Sequence, residues 1–272
     1  MGGKRMTLAE RLEAAPMLKG HNIVTLDIER IPGVFTADFW DLNAFKNRRI
    51  HADYVISWPR TICLAWRQYG TKRVEFAAEW QDGGAEAMQL AAWEVYDKAD
   101  VIVGHNVARF DSKHLQTGWL EMGLPMPSPF KTVDTLAVAR KHFGMESNTL
   151  DAICRRLDIP HKTDKYEVAV AKAAVDGHAP SQRKLAAYNR GDIVASEALY
   201  DRLRGRIPNH PHAKSGNALD VISCNQCNGR NLERNGIKLA QQITYLLYRC
   251  ADCGANVQGT RHSRAAVTRG AS

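Results

Sequence analysis

Hydrophobic residues along this 272-residue chain come in short runs whose period changes from segment to segment. Residues 22–28 (NIVTLDI) are apolar and β-branched and are followed by Pro32 and Gly33, the pattern of a buried strand ending in a loop. TICLAWRQYG and KRVEFAAEW alternate in polarity on either side of Gly70 and Thr71 and read as a hairpin. AEAMQLAAWEVYDKA has helical spacing, and DVIVGHN is a short apolar strand of the kind that lies in the middle of a sheet. Strand, hairpin, helix and strand in that order predict an α/β domain with a mixed sheet. Further helical patterns follow at SKHLQTGWLEMG, TLAVARKHFG, NTLDAICRRLDI and PSQRKLAAYNRGDIVASEALYDRLRGR, so a helix-rich second half should pack around the early sheet. Asp134 stands just before TLAVARKHF and is expected to cap that helix.

The pattern then loses its periodicity. RIPNHPHAKSGN, with two prolines, a glycine and little apolar content, reads as a linker. The expected division is an N-terminal extension at 1–21, a main domain at 22–204, the linker at 205–222, a small domain at 223–258 and a disordered basic tail at 259–272. No apolar run approaches the roughly 20 residues needed to span a bilayer. The first residues lack a continuous apolar core and a small-residue cleavage site, so no secretion signal is expected.

Charge sharpens this division. The formal net charge is +8, and from Arg204 to Ser272 ten Lys/Arg stand against three Asp/Glu, so the basic character is concentrated in the C-terminal quarter. Such a segment attracts a polyanion, nucleic acid being the usual one, or is simply a solvated tail. Between Arg30 and Arg60 the chain mixes Phe35, Phe39, Trp40, Phe45, Tyr54 and Trp58 with Lys46, Arg48 and Arg49. These residues suit a path for a single strand, or they anchor an insertion to the domain.

Six cysteines divide into two singles, Cys63 and Cys154, both in apolar stretches and expected to be buried inert thiols, and two pairs. Cys224 and Cys227 (CNQC) and Cys250 and Cys253 (CADCG) are separated by 22 residues. Two such knuckles place four thiolates around one structural Zn²⁺, and ITYLLYRC supplies a strand leading into the second. A domain of this size needs its metal to fold.

Three separated motifs supply hard oxygen ligands. Asp27 and Glu29 lie two apart in a strand and so point to one face, while Ile28 packs into the opposite layer. Asp111 ends GHNVARFD at the start of the helix after a central strand, where it could project over the strand ends or serve only as a helix N-terminal acid. Tyr188 and Asp192 (YNRGD) are four apart on one helix face. Each motif alone is weak, and together they form a constellation.

With these residues in place, the chain resembles the DEDD 3′→5′ exonucleases, a ribonuclease H-like superfamily that includes the proofreading domains of DNA polymerases. TLDIE, GHNVARFD and YNRGD match its three motifs from about Asn22 to Leu203, and Ala187, five before Asp192, stands where the histidine-type variant carries His. ADVIVGHNVARFD with FKTVDTLAVARKHF is similar to exonucleases encoded by phages of actinobacteria, which implies a bacterial host cytoplasm.

The resemblance implies a ribonuclease H-like α/β domain and a tyrosine-type site holding two Mg²⁺ or Mn²⁺. In it Asp27 bridges the ions, Glu29 and Asp192 complete the nucleophile-side ion, Asp111 holds the second, and Tyr188 orients water. His105 and Asn106 would contact the terminal nucleotide. The expected substrate is the 3′ end of single-stranded DNA, with RNA as an alternative and a polymerase or other replication protein as a partner. A different class of function, a nucleic-acid-binding adaptor with an idle site, is the competing expectation.

Overall fold

The computed structural model describes residues 22–38, 51–160, 166–207, 210, 224, 226, 229–239 and 244–262. They fall into two units, Ile23–Tyr200 and a second beginning at Asp201.

The first unit is built on a five-stranded mixed sheet in the order β5-β4-β1-β6-β7. Its central strand, β1 (Ile23–Ile31), pairs antiparallel with β4 (Arg60–Gln68), which pairs antiparallel with β5 (Glu75–Ala78). On its other side β1 runs parallel to β6 (Val101–Gly104), and β6 runs parallel to β7 (Lys131–Asp134). The hairpin forms where Gly70 and Thr71 predict it, with Gly70 at φ 81° and Thr71 donating its N–H to the Gln68 carbonyl at 3.1 Å. A short ribbon of β2 (Val34–Phe35) and β3 (Val55–Ser57) stands between β1 and β4 in sequence.

Helices cover both faces of this sheet. Val24, Leu26, Ile28 and Leu64 pack against Met88, Ala92 and Tyr96 of α1 (Gly84–Lys98) and Leu115 and Trp119 of α2 (Asp111–Glu121). On the other face Ile31, Ile62 and Cys63 pack against Ala171 and Ala174 of α5 (Val168–Val175) and Leu185 of α6 (Ala179–Leu203). Between them in sequence run α3 (Thr135–His142) and α4 (Leu150–Arg156). The alternation of β1 thus sends Ile28 into the α1/α2 layer, as its period-two pattern requires.

Two elements differ from the sequence reading. β7 is absent from the expected elements, which place only Asp134 there, as a helix cap. Of its four residues Val133 alone is buried, so it carries almost no alternation to read. α5 went unpredicted because VAVAKAAV is apolar on most positions and shows no polar face.

In the second unit β8 (Leu232–Leu239), β9 (Thr244–Cys250) and β10 (Asn256–His262) form an antiparallel sheet in the order β10-β9-β8. Two boundaries change. β10 continues to His262, past the expected end of the small domain at 258 and into the segment expected to be disordered. The first linker residues belong to this unit: Arg204 donates its Nε to the Gln226 carbonyl, the Gln226 amide donates to the Ile207 carbonyl at 3.1 Å, and a side chain at Gly205 would run into the Cys253 carbonyl. The N-terminal extension, the rest of the linker, the tail beyond His262, Cys227, and Phe39, Trp40, Phe45, Lys46, Arg48 and Arg49 lie outside the described residues. Among the described residues no helix is long and apolar enough to cross a membrane.

Candidate active site and cysteine cluster

β1 pairs with β6 only from Ile23 to Thr25, opposite Val101 to Val103, yet β1 runs on to Ile31. The stretch carrying Asp27 and Glu29 therefore projects past the end of its parallel neighbour, into the crevice at the carboxyl ends of the strands. Gly104 permits the close approach at that point, since a Cβ there would lie 2.9 Å from the Leu26 carbonyl oxygen and 2.7 Å from the Val107 Cβ.

Asp27 and Glu29 from β1 and Asp192 from α6 bring carboxylate oxygens to within 4.8 Å of one another. Asp192 is buried and the other two are half-buried. Gathering three acids costs electrostatic energy unless a cation offsets their repulsion, and an all-oxygen donor set suits Mg²⁺ or Mn²⁺. The donors present thus fit the divalent ions that the sequence implies.

Asp111 stands apart from that trio. Its carboxylate is buried at the first turn of α2 and accepts the Ile28 backbone N–H at 3.0 Å, tying the second motif to the first. Burial pushes its pKa up to about 7, with the Asp134 and Asp192 charges adding to the rise and the Ile28 N–H opposing it.

Tyr188 lies one turn before Asp192 on α6, and its oxygen accepts a hydrogen bond from the Tyr166 backbone N–H. The two tyrosine rings meet edge-on at 6.2 Å. Burial, then the Asp192, Glu29 and Asp27 charges, holds the Tyr188 phenol well above its usual range, so it stays protonated at neutral pH. Tyr166 in turn donates its hydroxyl to the Arg30 carbonyl, and burial lifts its pKa to about 12.

The sequence reading passed over Asn189, which the structure puts at the centre. It is fully buried, and its amide donates to Asp27 Oδ2 at 2.7 Å. Its position inside YNRGD, one residue after Tyr188, was the available signal.

His105 and Asn106 follow β6 directly. Both ring nitrogens of His105 are engaged within the protein: Nε2 meets the Asn148 carbonyl at 2.9 Å and Nδ1 meets the Thr135 hydroxyl at 3.0 Å. A carbonyl only accepts, so Nε2 carries a proton, while the Thr135 hydroxyl beside Nδ1 also donates to the Gly104 carbonyl at 3.1 Å. Burial holds the imidazole below its usual pKa. In this arrangement His105 braces the segment before α4 and offers no open nitrogen to a nucleotide. Asn106 takes the left-handed conformation at φ 73°, and its N–H donates to Asp134 Oδ1 at 3.0 Å. Asp134 also accepts from Ala108 N, Leu136 N and Ala137 N, so it caps α3 as predicted and holds the Asn106 turn as well.

In the second unit the thiols of Cys224, Cys250 and Cys253 lie within 4.8 Å of one another, and the Gln226 N–H points at Cys224 Sγ at 3.4 Å. Cys63 and Cys154 are buried and free, and burial drives both thiol pKa values up, Cys154 to about 11. That is the inert character their surroundings predict.

A family model described as RNase_H superfamily matches residues 60–204, more than half of the chain, a span that holds Asp111, Tyr188 and Asp192 and begins after Asp27 and Glu29. No curated protein matches. Among solved structures, the chain is similar to the family B DNA polymerase of the hyperthermophilic archaeon Pyrobaculum calidifontis, at 15% identity and a TM-score of 0.47, over 68% of this chain and 25% of that polymerase. The chain thus spans about a quarter of that protein's length.

Proposed function

This chain belongs to the RNase H superfamily, and from that premise we propose that it is a divalent-metal-dependent exonuclease of the tyrosine-type DEDD kind, removing nucleotides from the 3′ end of single-stranded DNA. The observation that carries this reading is the convergence of Asp27, Glu29 and Asp192, from a strand and a helix far apart in sequence, within 4.8 Å. Bound there, two divalent ions would supply an activated water and charge neutralisation on the phosphate.

The chain's own groups do the rest. Asp27, Glu29 and Asp192 would hold the cation on the side of the attacking water, and Asp111 would serve the side of the leaving oxygen. The Tyr188 O–H donates toward the water or the phosphate and fixes its line of approach. Asn189 keeps Asp27 in place through its 2.7 Å hydrogen bond. Asn106, on its strained turn, presents its side chain to the terminal nucleotide. Water's oxygen forms the new bond to phosphorus, the bond to the 3′ oxygen of the preceding nucleotide breaks, and that oxygen takes up a proton as it leaves. The products are a nucleoside 5′-monophosphate and a strand shorter by one. The three cysteines brought together would hold a structural zinc ion, with Cys227 as the fourth thiolate the spacing implies, and the basic residues of the C-terminal unit would help hold nucleic acid.

The test is digestion of 5′-labelled and 3′-labelled single strands of DNA and RNA with Mg²⁺ or Mn²⁺. A ladder shortened from the 3′ end on DNA is expected, with Asp27→Asn and Asp192→Asn each inactive. Undiminished digestion by both variants would overturn the assignment.

A further inference from the structure

The ribbon of β2 and β3 turns a row of large apolar side chains to solvent. Tyr54, Ile56 and Trp58 are 52%, 66% and 66% exposed, while Val55 and Ser57 between them are half-buried. Ile56 lies within β3, Tyr54 ends the 3-10 turn Ala52–Tyr54 that leads into it, and Trp58 directly follows it, so the exposed side chains line one short stretch of the ribbon. Phe35 on the neighbouring strand is exposed as well. An apolar row of this kind marks a surface used for contact.

The ribbon is fixed to the end of β1 that carries the carboxylates. A Cβ at Gly33 would lie 2.6 Å from the Ser57 carbonyl oxygen and 2.8 Å from Pro59 Cδ, so Gly33 lets the two strands close up. Arg30 donates to the Pro59 carbonyl at 3.0 Å and meets His114 Nε2 at 3.0 Å. The His114 ring stands edge-on to Phe110 at 4.7 Å. A continuous strip thus runs from Trp58 through Pro59, Arg30 and His114 to Phe110, passing one residue from Glu29 and ending one residue before Asp111. Both hydrogen-bond partners of the Arg30 guanidinium are uncharged, since burial and the Arg30 charge itself keep His114 below its usual pKa. Its positive charge is left for an anion.

We propose that this strip binds the unpaired nucleic acid strand leading into the carboxylate site, with Tyr54 and Trp58 as stacking faces for its bases and Arg30 toward its phosphates. The inference rests on the nuclease reading above. Tyr54 and Trp58 stand at the two ends of the three-residue strand β3, which at about 3.3 Å per residue sets them roughly 10 Å apart, well beyond the 3.4 Å rise between stacked base pairs. Bases spread onto such a row must be unstacked from one another, which a single strand allows and a duplex does not. Aromatic faces accept any base, so the strip holds the strand without reading its sequence.

Two readouts separate the strip from the chemistry. One is hydrolysis of the p-nitrophenyl ester of thymidine 5′-monophosphate with Mn²⁺, which occupies only the carboxylate site. The other is fluorescence anisotropy of a short 5′-labelled single strand, with a blunt duplex alongside, in Ca²⁺. For the paired variant Tyr54→Ala/Trp58→Ala, ester hydrolysis should stay within about twofold while single-strand affinity falls about tenfold or more. Tyr54→Phe/Trp58→Phe should retain most of that affinity. Unchanged single-strand affinity in the alanine pair, as expected if the row docks a protein, would overturn the proposal, and so would an equal loss for the duplex. If the wild-type chain fails to hydrolyse the ester while the alanine pair still loses single-strand affinity, the nuclease reading falls and the binding strip stands.

Discussion

Asn189 shows how a single amide can govern a charged cluster. Its 2.7 Å donation to Asp27 Oδ2 helps fix the orientation of a carboxylate that belongs to the converging trio. Asn189→Ala should weaken Mn²⁺ binding about tenfold, measured by isothermal titration, because the freed carboxylate loses a donor worth about 1–3 kcal/mol. Asn189→Asp should be worse than Ala, since it sets a fourth negative charge against Asp27. His105 supports a pH prediction. Burial lowers its folded pKa below the unfolded value, so its contribution to stability is present above about pH 6.5 and is lost as pH falls through the folded pKa. The melting-temperature advantage of wild type over His105→Gln should therefore shrink between pH 7.5 and 5. At this scale the acids and the tyrosine were legible because their spacing carries geometry. Asn189 and the engagement of both His105 nitrogens were not, because a hydrogen-bond partner such as Asn148 is set by tertiary packing.

At the scale of elements, the site depends on where α6 sits against the sheet. Arg67 of β4 and Glu197 of α6 form a paired contact, Nε to Oε2 at 2.9 Å and Nη2 to Oε1 at 2.9 Å, with both side chains largely buried. Fork-to-fork geometry of this kind fixes position as well as adding energy. Glu197→Gln should cost about 1–3 kcal/mol of stability in denaturant melts and lower cation affinity, although Glu197 is not among the converging acids. Asp134 does similar work for the second motif. Removing its carboxylate frees two helix N–H groups and the amides of Asn106 and Ala108, so Asp134→Ala should lower stability by about 1–2 kcal/mol and Asp134→Asn by less. The long periodic elements, β1, α1 and α6, could be read from the chain. β7 and α5 could not, since one is defined by pairing with β6 and the other by burial of small residues such as Ala171 and Ala174.

For the molecule as a whole, the two units make separable demands. Among the described residues, the small one has a buried core of Cys224, Cys250, Ala255 and Val257 with Leu232 and Tyr248 packed against it, a small apolar core that a metal would supplement. Cys250→Ser should lose about one bound zinc per chain by mass spectrometry and become protease-sensitive between 224 and 262, while ester hydrolysis by the larger unit persists. The spacing of the cysteines predicts a four-thiolate cluster, of which Cys224, Cys250 and Cys253 meet while Cys227 lies outside the described residues. It could not predict that Arg204–Ile207 belongs with them, because a Pro-containing polar stretch reads the same whether it packs or not. The larger unit holds a further consequence. Asp27 and Glu29 ride on one strand, two residues apart, so no motion of the chain can separate them without breaking β1. Asp192 arrives on a helix, so its distance from the other two is set by how α6 packs on the sheet. A cation held by the trio would therefore report, through its affinity, any displacement of α6 against the sheet.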